Sequence, residues 1–315
     1  MRCDYCGAQA KVYVPHQGIR LCENCFKKNV VSRVEEEVYR FNMFDPSDTV
    51  LMGISGGKDS FVLLDVLSRL HDPSKLIALT IIEGIPGYNR QDELDFVKKA
   101  TMERGVEHIV VSFKDAVGLS LSELVSLSNE KRLGISACTF CGIIRRRIIN
   151  YYARQLGASK TATAHNLDDE AQTLLINIFR GDTSRLVRQH PLAPVPSKKL
   201  VKRIKPLRKI YEWEAATYAY YSGYRFQSVE CPYIIYQPTV RARIRRWMIM
   251  MEKEEPGIML RLLNSFDEVV SQRLLSRSGS TLLLNECKNC GEPTSPGRVY
   301  CKTCELLMKI GVIKP

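Results

Sequence analysis

One stretch constrains the fold more than any other: Thr49-Val50-Leu51-Met52-Gly53-Ile54-Ser55-Gly56-Gly57-Lys58-Asp59-Ser60, running directly into Phe61-Val62-Leu63-Leu64-Asp65-Val66-Leu67. An apolar run of strand length stops at Ser55, two glycines turn the chain, and a helix-period pattern with Leu63, Leu64 and Leu67 inward begins at once. A strand, a tight loop and a helix N-terminus in that order converge unpaired backbone N–H groups and the positive helix end on one point, where an anion belongs. Glycine lets the backbone approach oxygen closely, and Lys58 adds a point charge. The loop is not of the Walker type. The required first glycine falls on Met52, and Asp59 stands where Ser or Thr would hold magnesium. A glycine turn without a ligand is the alternative reading.

Beyond this unit the chain repeats strand and helix, which implies an α/β fold with a parallel sheet covered on both faces. Strands are expected at residues 76–82, 108–113 and 160–164, and helices at 91–104, 119–132, 142–156 and 167–179. Ligands in such sheets sit at the carboxyl ends of strands. That gathers Ser55, the strand end at Ile81-Ile82, and Ala164-His165-Asn166-Leu167-Asp168-Asp169 around one crevice. Asn166 reads as a helix cap with two carboxylates in the first turn. Capping alone would explain them; beside a triphosphate, Asp169 in preference to Asp168 would hold Mg²⁺ or orient substrate.

Eleven cysteines argue for metal over disulfides in a chain with no export signal at its start. Cys3-x2-Cys6 with Cys22-x2-Cys25, and Cys287-x2-Cys290 with Cys301-x2-Cys304, each have zinc-ribbon spacing, four thiolates for one tetrahedral zinc. His16 lies between the first pairs and is read as a loop residue. Cys138-x2-Cys141 and the distant Cys231 remain. The first two open a helix at the same sheet edge, where the dipole is expected to lower the thiol pKa. Three thiolates are one short of a closed zinc site or a four-cysteine iron–sulfur cluster. A redox-active disulfide and buried structural thiols are the alternatives. Arg145, one turn beyond Cys141, is placed to reach an α-phosphate.

The formal charge of +12 is uneven. Residues 197–253 hold thirteen basic side chains against four acidic ones, nine of the twelve net charges. A polyanion is the expected partner, with a solvated basic face as the alternative. Helices are expected at 211–221, at 239–251 with Arg241 and Arg245 on one face and Trp247, Met250 and Met251 in the core, and from Pro256-Gly257 to about 275. Residues 30–44 should form an amphipathic helix, and the proline-rich 181–206 a loop along the sheet edge. The division expected is a ribbon at 1–30, a nucleotide-binding part at 31–215, a basic helical part at 216–280 and a second ribbon at 281–315. No apolar run reaches the ~20 residues of a membrane helix, and the reading is of a cytoplasmic protein.

The Ser-Gly-Gly-Lys-Asp-Ser string at 55–60 resembles the pyrophosphate loop of ATP pyrophosphatases. With Cys-Thr-Phe-Cys-Gly-x-x-Arg-Arg at 138–146, His-Asn-x-Asp-Asp at 165–169 and the two ribbons, essentially the whole chain resembles the tRNA 2-thiouridine synthetases of the TtcA/TtuA family. The resemblance implies a parallel five-stranded sheet of the adenine-nucleotide α-hydrolase (PP-loop) type. It implies ATP and Mg²⁺ bound by Gly53, Ile54, Ser55, Gly56, Gly57, Lys58, Asp59, Ser60, Ile82, Arg145, Ala164 and Asp169, with Lys58, Asp59, Asp169 and Arg145 catalytic. It further implies one [4Fe-4S] cluster on Cys138, Cys141 and Cys231, two Zn²⁺ on the ribbons, a homodimer, a tRNA substrate and a ubiquitin-like, thiocarboxylated sulfur carrier. The reaction implied is 2-thiolation of 5-methyluridine 54 in the T-loop. A wobble-uridine (position 34) thiolase and a non-enzymatic RNA-binding zinc protein are the alternatives. Some members carry Lys where this chain has Arg145; a guanidinium cannot give up a proton at neutral pH, so its role is electrostatic.

Overall fold

The computed structural model describes residues 1–88, 91–226, 229, 231–233, 240–276 and 284–314. Glu230, Thr239 and the 280/281 boundary lie outside them. At the N-terminus β1 (Val12–Val14) and β2 (Ile19–Leu21) form an antiparallel hairpin between the two cysteine knuckles. The helix expected from residue 30 starts earlier, as α1 (Glu23–Arg40), because the Cys22 Sγ caps it by accepting from the Cys25 N–H at 3.5 Å.

The central sheet has the order β5-β4-β3-β6-β7, all parallel: β3 (Val50–Gly53), β4 (Leu76–Ile82), β5 (Glu107–Ser112), β6 (Lys160–Ala162) and β7 (Lys202–Ile204). The fifth strand falls in the stretch expected to be a loop. Three residues between prolines, Lys202 to Ile204, carry too little periodicity to read as a strand, and the pairing with β6 makes them one. The same stretch holds α8 (Thr183–Gln189), capped by Asp182.

Alternation along β3 divides the core. Val50 and Met52 pack with α2 (Lys58–Leu70) on one face, and Leu51 packs on the other with α5 (Leu121–Glu130) and α6 (Ala137–Gln155). Helix α2 buries Ser60 through Leu67 without a gap, so it lies between the sheet and outer helices, not on a surface. Helix α3 (Gln91–Met102) leads into β5. The helix expected at 119–132 is α5, capped by Ser120; ahead of it an unexpected helix, α4 (Phe113–Val117), takes Phe113 from the end of the expected strand under the Ser112 cap and ends at Gly118, φ +80°. Helix α6 starts five residues earlier than expected, under the Ser136 cap, so Cys138 and Cys141 lie within its first turns.

Helix α7 (Leu167–Phe179) packs with α10 (Val240–Glu254) and α11 (Ile258–Ser276) in a third cluster, while α9 (Glu212–Tyr221) lies on α2 and α1. In α10 only Ile244 and Met248 are buried. Trp247 and Met250, expected in the core, are 46% and 51% exposed, because a single turn-spaced pair faces the body while Arg241 and Arg245 turn to α7 and α9. Arg208 is fully buried between Glu37 of α1 at 2.6 Å and Asp267 of α11 at 2.7 Å, tying the first helix to α11. The C-terminal ribbon is β8 (Asn285–Glu286), β9 (Pro293–Thr294) and α12 (Lys302–Lys309), the last capped by Cys301. No helix among the described residues is long and apolar enough to cross a membrane.

Candidate functional site

The chain winds β3, β4, β5 to one side, then returns to lay β6 and β7 on the other, so the strand order reverses between β3 and β6. Open α/β sheets bind ligands outside the strand ends at that reversal. The loop at residues 54–57 leaves β3 there, and α7 starts from the end of β6 beside it.

Gly53 ends β3, and Ile54 is locked into the sheet: its N–H donates to the Leu79 carbonyl at 2.9 Å, and its carbonyl accepts from Thr80 Oγ1 at 2.8 Å. Gly56 has φ +82°, a conformation glycine adopts freely. Gly57 is the N-cap of α2 with no side chain capping it, so the first N–H groups of that helix keep their capacity for an anion. Ser60 Oγ donates to the Gly57 carbonyl at 2.7 Å and lies 3.5 Å from Ser55 Oγ, which holds the loop closed on itself.

Around the loop the charges are organised. Lys58 Nζ lies 3.0 Å from Asp59 Oδ2 and 3.2 Å from Glu212 Oε1. Burial works against its charge, but these two carboxylates hold its pKa above the ordinary lysine value. Asn166 donates from Nδ2 to Asp59 Oδ1 at 3.2 Å, so the N-termini of α2 and α7 are joined side by side. Asn166 also forms a reciprocal capping box with Asp169. Asp168 accepts from the Glu212 N–H at 2.8 Å, and burial pushes its carboxyl up to about 6; burial raises Asp169 as well. Asp168 thus caps α9, which leaves Asp169 as the carboxylate turned toward Arg241, at 4.0 Å. Arg245 reaches Glu212 at 2.7 Å, so Arg241 and Arg245 share a face of α10 and meet the crevice. Ala164 sits in the connection from β6, packed against the core.

Beside the loop a pocket is lined by Ser55, Thr80, Ile82, Glu83, Tyr88 and Arg145. Arg145 therefore shares a cavity with the loop. Its Nε donates to Glu83 Oε1 at 2.6 Å, and its Nη2 closes on the same oxygen. Sequence reasoning missed Glu83 and Glu212. The signal for Glu83 was an acid immediately after an apolar strand; for Glu212 no sequence signal pointed to the loop.

Cys141 packs in the same cluster as Cys231, and Cys138 and Cys231 are near enough for their charges to act on its thiol. Tyr88 feels Arg145, Glu83, Cys231 and Cys141 together. The fold thus brings the phosphate loop, Arg145 and the three inner cysteines to one sheet edge. The expected lowering of the Cys141 thiol does not occur. Burial pushes it up to about 11, against the opposing charge of Arg145, so desolvation outweighs the helix dipole.

All eleven cysteines are free. In each terminal quartet the sulfurs lie within 4.8 Å of one another, with Cys6 and Cys22 at 3.6 Å and Cys290 and Cys301 at 3.6 Å. A tetrahedral ion with ~2.3 Å bonds to sulfur separates thiolates by about 3.8 Å, so both quartets fit zinc. Cys138, Cys141 and Cys231 do not form so tight a group among the described residues. With eight of the eleven cysteines taken by the quartets, the inner set offers three thiolates, the number that would leave one corner of an iron–sulfur cube without a cysteine. His16 is no ligand. It is buried against Glu214 and the Tyr211 ring, docking the first ribbon on α9.

The PP-loop domain family (ATP_bind_3) matches residues 30–251. The chain is 32% identical to the tRNA 2-thiolation protein NcsA of Haloferax volcanii, over 99% of this chain and 100% of that one. It is 36% identical to the tRNA-5-methyluridine(54) 2-sulfurtransferase of Thermus thermophilus, over 94% and 88%. It is 32% identical to the cytoplasmic tRNA 2-thiolation protein 1 of Saccharomyces cerevisiae, over 97% and 85%. Among solved structures, the U34-tRNA thiolase NcsA from Methanococcus maripaludis with its [4Fe-4S] cluster covers 100% of this chain and 98% of its own, with a TM-score of 0.81 and 32% identity.

Proposed function

The chain belongs to the PP-loop family and is a tRNA sulfurtransferase; from that premise we propose that it adenylates the C2 oxygen of a tRNA uridine and replaces that oxygen with sulfur. The uridine is extruded into the crevice, as base-modifying enzymes require. Its C2 oxygen attacks the α-phosphorus of ATP, pyrophosphate leaves, and a sulfur nucleophile then adds at C2 and expels AMP. The amides of Gly56 and Gly57, with Lys58, hold the departing pyrophosphate. Arg145 neutralises charge at the α-phosphate as a fixed cation. Asp59 holds Lys58, and Asp169 would hold Mg²⁺. Cys138, Cys141 and Cys231 would hold a [4Fe-4S] cluster, which when bound would supply metal-held sulfide that stays deprotonated at neutral pH. The two quartets would hold one Zn²⁺ each.

The supporting observation is that Arg145 lines one cavity with Ser55 and Ile82 while its charge acts on Cys141, so an adenylated base need not travel to meet sulfur. Residues 31–215 are assigned the nucleotide chemistry, the basic part at 216–280 and the ribbons at 1–30 and 281–315 the docking of tRNA. A homodimer working in the cytoplasm and a ubiquitin-like thiocarboxylated protein as sulfur source complete the reading.

The target assigned is 5-methyluridine 54, on the higher identity to the position-54 enzyme. The end-to-end superposition on a U34 thiolase favours wobble uridine as the second reading. The test is anaerobic reconstitution with iron and sulfide, incubation with ATP and unthiolated tRNA, and nucleoside mass spectrometry with position mapping. Sulfur at 54 supports the assignment and sulfur at 34 the second reading. No 2-thiouridine in the presence of intact iron overturns both.

A further inference from the structure

The C-terminal ribbon packs against the helix that carries Cys138 and Cys141, whereas the N-terminal ribbon packs against α9. Leu306, Leu307 and Ile310, from α12 and its end, are buried in one cluster with Phe140, Ile144 and Ile148 of α6. Phe140 is fully buried and stands between the two cysteines, so the apolar side of α12 supports the turn that presents them. Further along α6, Arg154 donates from Nη1 to Glu292 Oε2 at 3.0 Å, and Asn150 donates from Nδ2 to the Lys199 carbonyl at 2.8 Å. Lys199 in turn reaches the Gly291 carbonyl, between the knuckles, at 3.0 Å.

Between these contacts Arg147 places Nη1 4.0 Å from Cys304 Sγ. Four thiolates around one Zn²⁺ carry a net charge of −2, which a partly buried guanidinium offsets. The quartet at the end of the chain therefore bears on α6 through an apolar seam, a charge contact and a hydrogen-bonded strut. The first ribbon rests elsewhere: its His16 meets Glu214 of α9 at 3.7 Å, and Arg33 of the following α1 meets the same carboxylate oxygen at 2.5 Å.

We propose that the C-terminal zinc ribbon and Arg147 position the first turn of α6, so that retention of the iron–sulfur group at Cys138 and Cys141 depends on the C-terminal ribbon and not on the N-terminal one. The proposal rests on the cluster reading above and deepens it, giving the two ribbons of equal spacing unequal roles. Arg147 is a positioning residue, acting through the thiolates of α12 on the fold of α6.

The experiment compares the full chain with its Cys301→Ser, Cys22→Ser, Arg147→Met and Arg147→Lys variants after anaerobic reconstitution. It reads iron and zinc per chain, cluster absorbance near 400 nm, and the rate at which a ferrous chelator removes iron. Outer-shell partners of a metal site are worth about tenfold to a hundredfold in affinity. Cys301→Ser and Arg147→Met should therefore lose iron at least about tenfold faster, and Arg147→Lys, which keeps the charge, should restore most of the difference. Cys22→Ser should lose one zinc and hold iron like the wild type. Equal iron loss in Cys301→Ser and Cys22→Ser, or unchanged iron in Cys301→Ser and Arg147→Met, overturns the proposal while leaving the cluster reading intact. A wild-type chain that takes up no iron overturns the cluster reading, and this proposal with it.

Discussion

The Arg145 guanidinium is bound to a single carboxylate oxygen of Glu83, with Nε 2.6 Å from Oε1, at the edge of the cavity that the phosphate loop opens into. Glu83 is 1% exposed, and burial opposes the Arg145 charge while Glu83 sustains it. The pair fixes a cation between the loop and the inner cysteines.

Glu83→Gln should therefore release the guanidinium from its aim. Misplacement by about 1 Å in an active site costs on the order of a hundredfold in rate, so AMP formation at saturating ATP should fall by about tenfold to a hundredfold. Stability should fall by about 1–3 kcal/mol. Steady-state kinetics and urea denaturation measure the two, and metal analysis should find iron and zinc unchanged.

Gly56 and Gly57 are adjacent but not equivalent. At φ +82° Gly56 is left-handed, and an added Cβ would meet Val97 Cγ2 at an ordinary 3.5 Å, so the cost of Gly56→Ala is in the backbone, about 1–2 kcal/mol. Gly57, at φ −78°, carries no such strain. Gly56→Ala should lower the denaturation midpoint more than Gly57→Ala does, and weaken binding of a non-hydrolysable ATP analogue.

Neighbours on α10 should differ as sharply. Met248→Ala removes a side chain 3% exposed and should cost about 2–5 kcal/mol. Trp247→Ala, at a site 46% exposed, should stay within about 0.5 kcal/mol. A tRNA binding assay on Trp247→Ala then reads the surface without a folding defect.

These contrasts mark where sequence suffices. The strand Leu76–Ile82 and the helix Leu167–Phe179 were legible residue for residue, because a long apolar run and a capped 3.6-residue period each carry many concordant signals. The phosphate loop and the two quartets were legible because glycine, lysine and cysteine spacing state a chemistry directly. Strand β7 was not, since three residues take their conformation from a neighbour. The exposure of Trp247 was not, because an apolar residue on an arginine-rich helix does not show which face the body takes. The raised Cys141 thiol depends on burial by side chains distant in the chain, which the helix start alone does not carry.

His16 should give the ribbon junction a pH dependence. Burial, with Arg33 nearby, lowers its pKa from the ordinary 6.5 to about 3. The folded chain keeps it neutral, whereas the unfolded chain takes up a proton below about 6.5. Its stabilisation is therefore complete above pH 6.5 and is lost as pH falls toward 3, by at most about 1.4 kcal/mol per pH unit. His16→Phe cannot protonate, so the stability difference between wild type and variant should shift in favour of the variant as pH falls from 6.5 to 5.5. Denaturation curves at the two pH values measure this, with protonation of zinc thiolates common to both proteins.

The central claim is that sulfur and nucleotide chemistry share one pocket, completed by a cysteine ninety residues beyond the other two. The most direct measurement is iron, zinc and 2-thiouridine formation in anaerobically reconstituted Cys231→Ala beside the wild type. The wild type should hold about four iron and two zinc per chain, and Cys231→Ala should lose the iron and the thiolation while keeping both zinc. Full iron in Cys231→Ala would contradict the account.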